Sequence, residues 1–179
     1  MIVLGESILA SSNAVVEVGR ETEHVGQLVL LAATSLVIIV CFWWISFAFP
    51  QHGLLTSLRT ALGWGYGHYA IFAAAGALSA GIEIAIDVEG GDVALTPAAA
   101  AATLAVPCAV YLLFVWLLVL RRQSSPRVNV AVPVIAVVVA LASFAPHSLQ
   151  VVAALMVVAV VVVVAGRDRS AVPVDRVEV

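Results

Sequence analysis

Three stretches of this chain, residues 26–48, 98–120 and 128–166, contain no aspartate, glutamate, lysine or arginine. A helix needs about 20 apolar residues, rising 1.5 Å each, to cross the hydrocarbon core of a bilayer. The first two stretches supply one crossing each, and residues 67–88 supply another although they carry Glu83 and Asp87. The third is too long for a single helix. Pro146-His147 divides it into 128–145 and 149–166, a tight hairpin of two spans. Residues 1–16 are apolar but short for a full crossing, and they read as a span cut short at its N-terminus. The expected fold is all-α: a polytopic transmembrane helix bundle of five complete spans plus that shortened one. It forms a single domain over 1–166, followed by a flexible tail over 167–179.

Composition supports the bilayer as solvent. Of 179 residues 63% are hydrophobic and 11% charged, with a mean hydropathy of +1.14. Soluble domains carry about 25% charged residues, so a water-soluble fold of this size has too little polar surface to cover its core. The valine run from Val160 to Val164 would favour strand in water. In lipid, backbone groups must be satisfied within the segment, which favours helix. No ten-residue alternation of the kind a membrane barrel needs is visible. A net charge of -3 gives no reason to expect a nucleic-acid partner.

The arginines set an orientation. With the 49–66 loop in the cytoplasm, that side collects Arg59, Arg121, Arg122, Arg127, Arg167, Arg169 and Arg176, leaving Arg20 outside. Cytoplasmic loops are enriched in arginine and lysine, so the expectation is a multi-pass protein of the bacterial inner membrane with a cytoplasmic C-terminus. The outer loops then hold Glu17, Glu21, Glu23, Glu89 and Asp92. Trp43, Trp44, Trp64, Tyr66, Tyr69 and Trp116 gather near the cytoplasmic interface, as belt aromatics do. Within 49–66, Leu54, Leu55, Leu58 and Leu62 recur at helical spacing. They predict either a short helix lying on the inner leaflet or a connector packed under the bundle. No basic n-region or cleavage site marks a signal peptide. The chain opens inside an apolar helix, as a truncated or misassigned start would.

The run Ile2-Val3-Leu4-Gly5-Glu6-Ser7-Ile8-Leu9-Ala10 resembles the signature of the bacterial low temperature requirement A (LtrA) family. The pair Trp43-Trp44 at the end of a span, Gly67-His68 opening the next, and Gly81-Ile82-Glu83 within it are similar too. The resemblance covers residues 1 to about 122 and matches the C-terminal half of longer polytopic membrane proteins. It implies a membrane protein linked by name to growth in the cold, without a settled molecular activity. The expected partners are the lipid bilayer and either a missing N-terminal half, which the resemblance implies, or further copies of the chain in a homo-oligomer.

Polar residues inside the membrane carry the candidate chemistry. An ionisable group at depth costs at least about 2.5–3.5 kcal/mol and normally faces a bundle interior. Glu6 shares a helical face with Asn13 and Glu17. A second stripe runs His68, Phe72, Gly76, Ser79, Glu83 and Asp87 at spacings of three and four. Facing one another, the two stripes would line a polar path of Glu6, Asn13, His68, Ser79 and Glu83. Desolvation favours the neutral form of a buried carboxyl, which can then exchange protons. Plainer readings stand beside this one. Glu83 and His68 lie near opposite ends of their span and can simply reach the two interfaces, and Glu6 can serve packing through a helix neighbour.

Ala73, Ala77 and Gly81, at i, i+4 and i+8, make a small-residue face for close helix approach. His24, His52 and His147 lie at loops or turns without partners at metal-ligand spacing. Cys41 and Cys108 fall within apolar runs, where small buried residues are common. No metal or other cofactor is expected. Three functional classes follow. One is ion- or proton-linked transport through intramembrane carboxylates. Another is a structural or adaptive role in cold growth through packing, lipid or partner contacts. The third, an intramembrane enzyme, is disfavoured because no nucleophile–base pair, zinc motif or phosphate loop is present.

Overall fold

The computed structural model describes residues 25–47, 58–121 and 124–166, together with Gly5, Ile8, Leu9 and Ser12. Five helices among them are long and apolar enough to cross a membrane. They are α1 (Val25–Phe47), α2 (Leu58–Gly90), α3 (Pro97–Val115), α4 (Pro126–Leu141) and α5 (Ser148–Ala165). The described residues contain no strand. The family of spans expected from the charge-free runs is therefore a helical bundle. The short first span over 1–16 and the tail over 167–179 lie outside the described residues.

Proline and small polar residues fix the helix starts. Thr96 is extended and its Oγ1 accepts a 3.3 Å hydrogen bond from the backbone N–H of Ala99, with Pro97 at the first helical position. Ser125-Pro126 opens α4 in the same way, although the Ser125 side chain makes no capping bond. At the α4–α5 hairpin a short 3₁₀ turn, Ala142–Phe144, tightens the end of α4. His147 then takes a left-handed conformation (φ 52°) and starts α5. The break expected at Pro146-His147 stands there.

One boundary differs from expectation. The span expected over 67–88 begins nine residues earlier, and Leu58–Tyr66 belong to the same continuous helix instead of a separate interfacial one. No proline interrupts 58–90, and a helix already nucleated extends by one hydrogen bond per residue. At 33 residues, α2 is about 50 Å long.

Helix α3 is central and touches all the others. Helix α2 packs chiefly on α3, α4 lies on α3 and α5, and α1 leans mainly on α5. In α2 the buried positions Ile71, Ala74, Ala75, Leu78, Ile82 and Ile86 follow helical spacing. Val132, Ala136 and Val139 of α4, and Val152, Met156, Ala159 and Val163 of α5, do the same. Small residues in these rows let backbones approach, and in lipid that packing drives helix association.

Three contacts set the geometry. A Cβ on Gly81 of α2 would overlap the carbonyl oxygen of Thr103 in α3. Thr103 precedes Pro107 by four residues, so its carbonyl lacks the N–H that would normally cover it. Nearly four turns away, a Cβ on Gly67 would meet the Cδ atoms of Leu118 at 2.6 and 2.7 Å. These two meetings make α2 and α3 antiparallel neighbours. Between α1 and α3, the rings of Phe42 and Tyr111 stack at 3.7 Å and 12°. The Tyr111 hydroxyl donates to the Phe42 carbonyl and bonds the Ser46 hydroxyl, each at 2.5 Å.

Beyond Val115, α3 widens into a π turn, Trp116–Leu120, closed by the Arg121 N–H donating to the Trp116 carbonyl. Asn129 of α4 ties this end down. Its Oδ1 accepts from Trp116 Nε1 at 3.1 Å, and its Nδ2 donates to the carbonyls of Arg121 (3.3 Å) and Ser124 (3.5 Å).

Candidate functional site

The α2 stripe can now be placed residue by residue. His68 is half-buried, its Nδ1 is 2.9 Å from the Trp64 carbonyl and its ring lies 3.8 Å from that of Trp64. Phe72, the next member, is exposed, with its ring centroid 6.1 Å from that of His68. Gly76 is exposed, Ser79 is half-buried and its hydroxyl bonds the Ala75 carbonyl at 3.3 Å. Glu83 is exposed and Asp87 half-buried. Phe72, Gly76 and Glu83 of the stripe therefore look outward, while His68, Ser79 and Asp87 lie half-buried along the flank of the buried row Ile71, Leu78 and Ile82. His68 and Glu83 stand 15 residues apart, about 22 Å along the helix. Glu6 and Asn13, proposed to face this stripe, lie outside the described residues.

Depth follows from the Gly81–Thr103 meeting. Thr103 is six residues inside the start of α3, so Glu83 sits about 6 Å inside the level of Pro97. Among the described residues Glu83 has no basic side chain on its own helical face; the face is Phe72, Gly76, Ser79 and Ala80. Of the small-residue face, Gly81 is buried against α3, whereas Ala73 and Ala77 are exposed.

The bundle between α1, α3 and α5 is apolar at mid-height, filled by Ile38, Phe42, Leu112 and Met156. Among the described residues the buried polar side chains are Thr34 and Ser35 of α1 and Ser143 of the 3₁₀ turn after α4. Thr34 bonds the Leu30 carbonyl at 2.6 Å and Ser143 the Ala140 carbonyl at 2.9 Å, each turning its hydroxyl onto its own helix.

A cavity of about 800 Å3 opens at the end of the bundle that holds the α2–α3 link and the α4–α5 hairpin. Its walls come from the start of α1 (Gln27, Leu30, Leu31), the end of α2 (Glu89), the start of α3 (Thr96 to Ala98) and the hairpin from Ser143 to Gln150. Three helices thus begin at its rim. Below it, Gln150 also borders a smaller pocket of about 260 Å3 with Ala33, Thr34, Val37 and Ala153. No group of three histidine, cysteine or carboxylate side chains able to hold a metal occurs among the described residues. Cys41 and Cys108 are buried free thiols.

A family model described as bacterial low temperature requirement A protein (LtrA) matches residues 1–166. The chain belongs to the LtrA family. No curated protein and no solved structure matches it, so its placement rests on the LtrA match and on the helices described above. The match spans all five described helices of this LtrA chain, and together they make it a multi-pass membrane protein in contact with lipid.

Of the polar residues lining the cavity, Glu89 is expected from sequence in an outer loop and His147 at a turn, whereas nothing in the sequence singles out Gln27 or Gln150. The signal for their convergence was present in part, because Pro97 and Pro146 both mark helix starts on one side of the membrane. That the start of α1 leans over the hairpin depends on the packing of α1 against α5, which single-chain periodicity does not carry.

Proposed function

We propose that this LtrA chain acts in ion- or proton-linked transport, with Glu83 as the exchanging carboxyl. The observation that supports the reading is the exposed carboxyl of Glu83 on an apolar membrane helix, inside the level at which α3 begins. An ionisable group there is costly and calls for a partner or a polar path. The apolar mid-height of the bundle directs such a path along the outward face of α2. Ser79 lies one turn from Glu83, and His68 stands at the opposite end. Glu6 and Asn13 are proposed to contribute from the facing side. The arginine bias supports a cytoplasmic C-terminus, with Glu83 toward the outer surface. The role is non-enzymatic.

The test is proton flux in proteoliposomes carrying a trapped pH-sensitive dye, under an imposed ion or pH gradient. Glu83→Gln is expected to abolish the flux, while Asp92→Asn, in the exposed α2–α3 link, leaves it intact. Flux undiminished in Glu83→Gln, or no flux from the unaltered protein, sinks the reading.

A second reading is favoured by the Gly81–Thr103 contact. Here the chain supports growth in the cold through packing, with the exposed Ala73 and Ala77 meeting lipid or a second copy. It predicts that Gly81→Leu loses cold-growth complementation and Glu83→Gln keeps it.

A further inference from the structure

The cavity at the hairpin end is independent of the α2 stripe, and its chemistry is of two kinds. At about 800 Å3 it is far larger than an ion or a few waters and falls within the range of small-molecule sites, about 300–1,000 Å3. Glu89 brings a carboxylate to one wall. On another wall α5 begins, and His147, the residue that caps its start, makes no side-chain capping bond, so the first-turn N–H groups of α5 lack that partner. The amides of Gln27 on α1 and Gln150 in the first turn of α5 add donors and acceptors to the lining.

The remaining wall is apolar and reaches out of the cavity. Leu30 is 51% exposed and Phe144 is 78% exposed. Both line the cavity and also face the surroundings of the bundle. A soluble zwitterion would have no use for that flank. A molecule with a cationic end, an anionic centre and an apolar tail uses every wall.

We propose that this cavity seats the headgroup of a zwitterionic phospholipid bearing a primary ammonium, with its acyl chain leaving along Leu30 and Phe144. The ammonium donates to the Glu89 carboxylate. The phosphodiester accepts from the uncapped N–H groups at the start of α5, where the helix dipole also favours negative charge. Position agrees, since the cavity lies at the level where three membrane helices begin, which is the headgroup level of a bilayer. Glu89 selects for the headgroup: a quaternary ammonium has no N–H to donate, and a glycerol headgroup has no cation.

The experiment is native mass spectrometry of the full chain released from nanodiscs. The nanodiscs contain equal parts of phosphatidylethanolamine, phosphatidylcholine and phosphatidylglycerol. The expected result is preferential retention of phosphatidylethanolamine, reduced about tenfold in Glu89→Gln, as loss of a charge-assisted hydrogen bond implies. Gln150→Leu, in the first turn of α5, is expected to weaken retention as well. Excess soluble phosphoethanolamine is expected not to displace the lipid, because it lacks the tail. Equal retention of the three lipids, or an undiminished preference in Glu89→Gln, overturns the proposal. Displacement by soluble phosphoethanolamine also overturns it and makes the site one for a free zwitterion.

Discussion

The uncovered carbonyl of Thr103 lies against the bare Cα of Gly81, so that α2 and α3 come closest where a proline has removed one helix's donor and a glycine the other's side chain. The two departures from regular helix chemistry answer one another across the interface. A Cα–H group directed at a free carbonyl adds a weak attraction of about 0.5–1 kcal/mol.

Substitution at Gly81 therefore forces backbone apart from backbone. Gly81→Ala is expected to destabilise the bundle by about 1–3 kcal/mol, the usual range for overpacking. Ala77→Leu, on the exposed side of the same helix, should stay within about 0.5 kcal/mol. Unfolding in mixed micelles with rising sodium dodecyl sulfate measures both. Equal effects would show that α2 and α3 are not packed at Gly81.

At Gly67 the obstacle is a side-chain tip, the Cδ atoms of Leu118, and this can move. Gly67→Ala should cost less than Gly81→Ala. Leu118→Ala in the same molecule should relieve it, giving a coupling of at least about 0.5 kcal/mol in a double-mutant cycle. Additive effects would separate the two residues.

Tyr111 joins α1 to α3 by a stack and by its hydroxyl. Tyr111→Phe keeps the ring and removes both hydrogen bonds, leaving the Ser46 hydroxyl without that partner. The expected loss is about 1 kcal/mol, with Ser46→Ala smaller and non-additive with it, read by the same unfolding titration.

Asn129 accepts from Trp116 and donates to two carbonyls at the end of α3. Asn129→Ala is expected to cost about 1–3 kcal/mol, because the indole N–H and both carbonyls lose their side-chain partner. With Trp43, Trp44 and Trp64 replaced by phenylalanine, Trp116 reports the change as a shift in its fluorescence maximum. Asn129→Asp keeps the acceptor and should retain the emission of the unaltered protein more closely than Asn129→Ala does.

The number and approximate limits of the five described helices were legible because bilayer thickness and charge-free length are one-dimensional quantities. The break at Pro146-His147 was legible for a similarly local reason. Which face each helix buries was not. Leu30 and Leu31, or Val137, Val138 and Val139, are equally apolar, and yet only Leu31 and Val139 are buried. In lipid both sides of a helix are greasy, so hydropathy loses the periodicity that it shows in water. Residue size carried some of the missing information, since Gly81 does meet α3, but Ala73 and Ala77 share its spacing and face outward. For the candidate polar path, the sequence supplied the spacing of His68, Ser79 and Glu83 but not the direction in which they look. The cavity drew on four separate segments and left no mark in any one of them.

The π turn at Trp116–Leu120 has a further consequence. One residue more than the α-helical repeat rotates everything after it by about 100° relative to a straight helix. Arg121 and the approach to α4 are thus aimed by an insertion that the fold has absorbed. Deleting one residue from this turn would restore a regular helix and point the α3–α4 link in another direction. A relative that differs by a one-residue gap here is out of phase with this chain beyond Leu120, however well its flanking residues align.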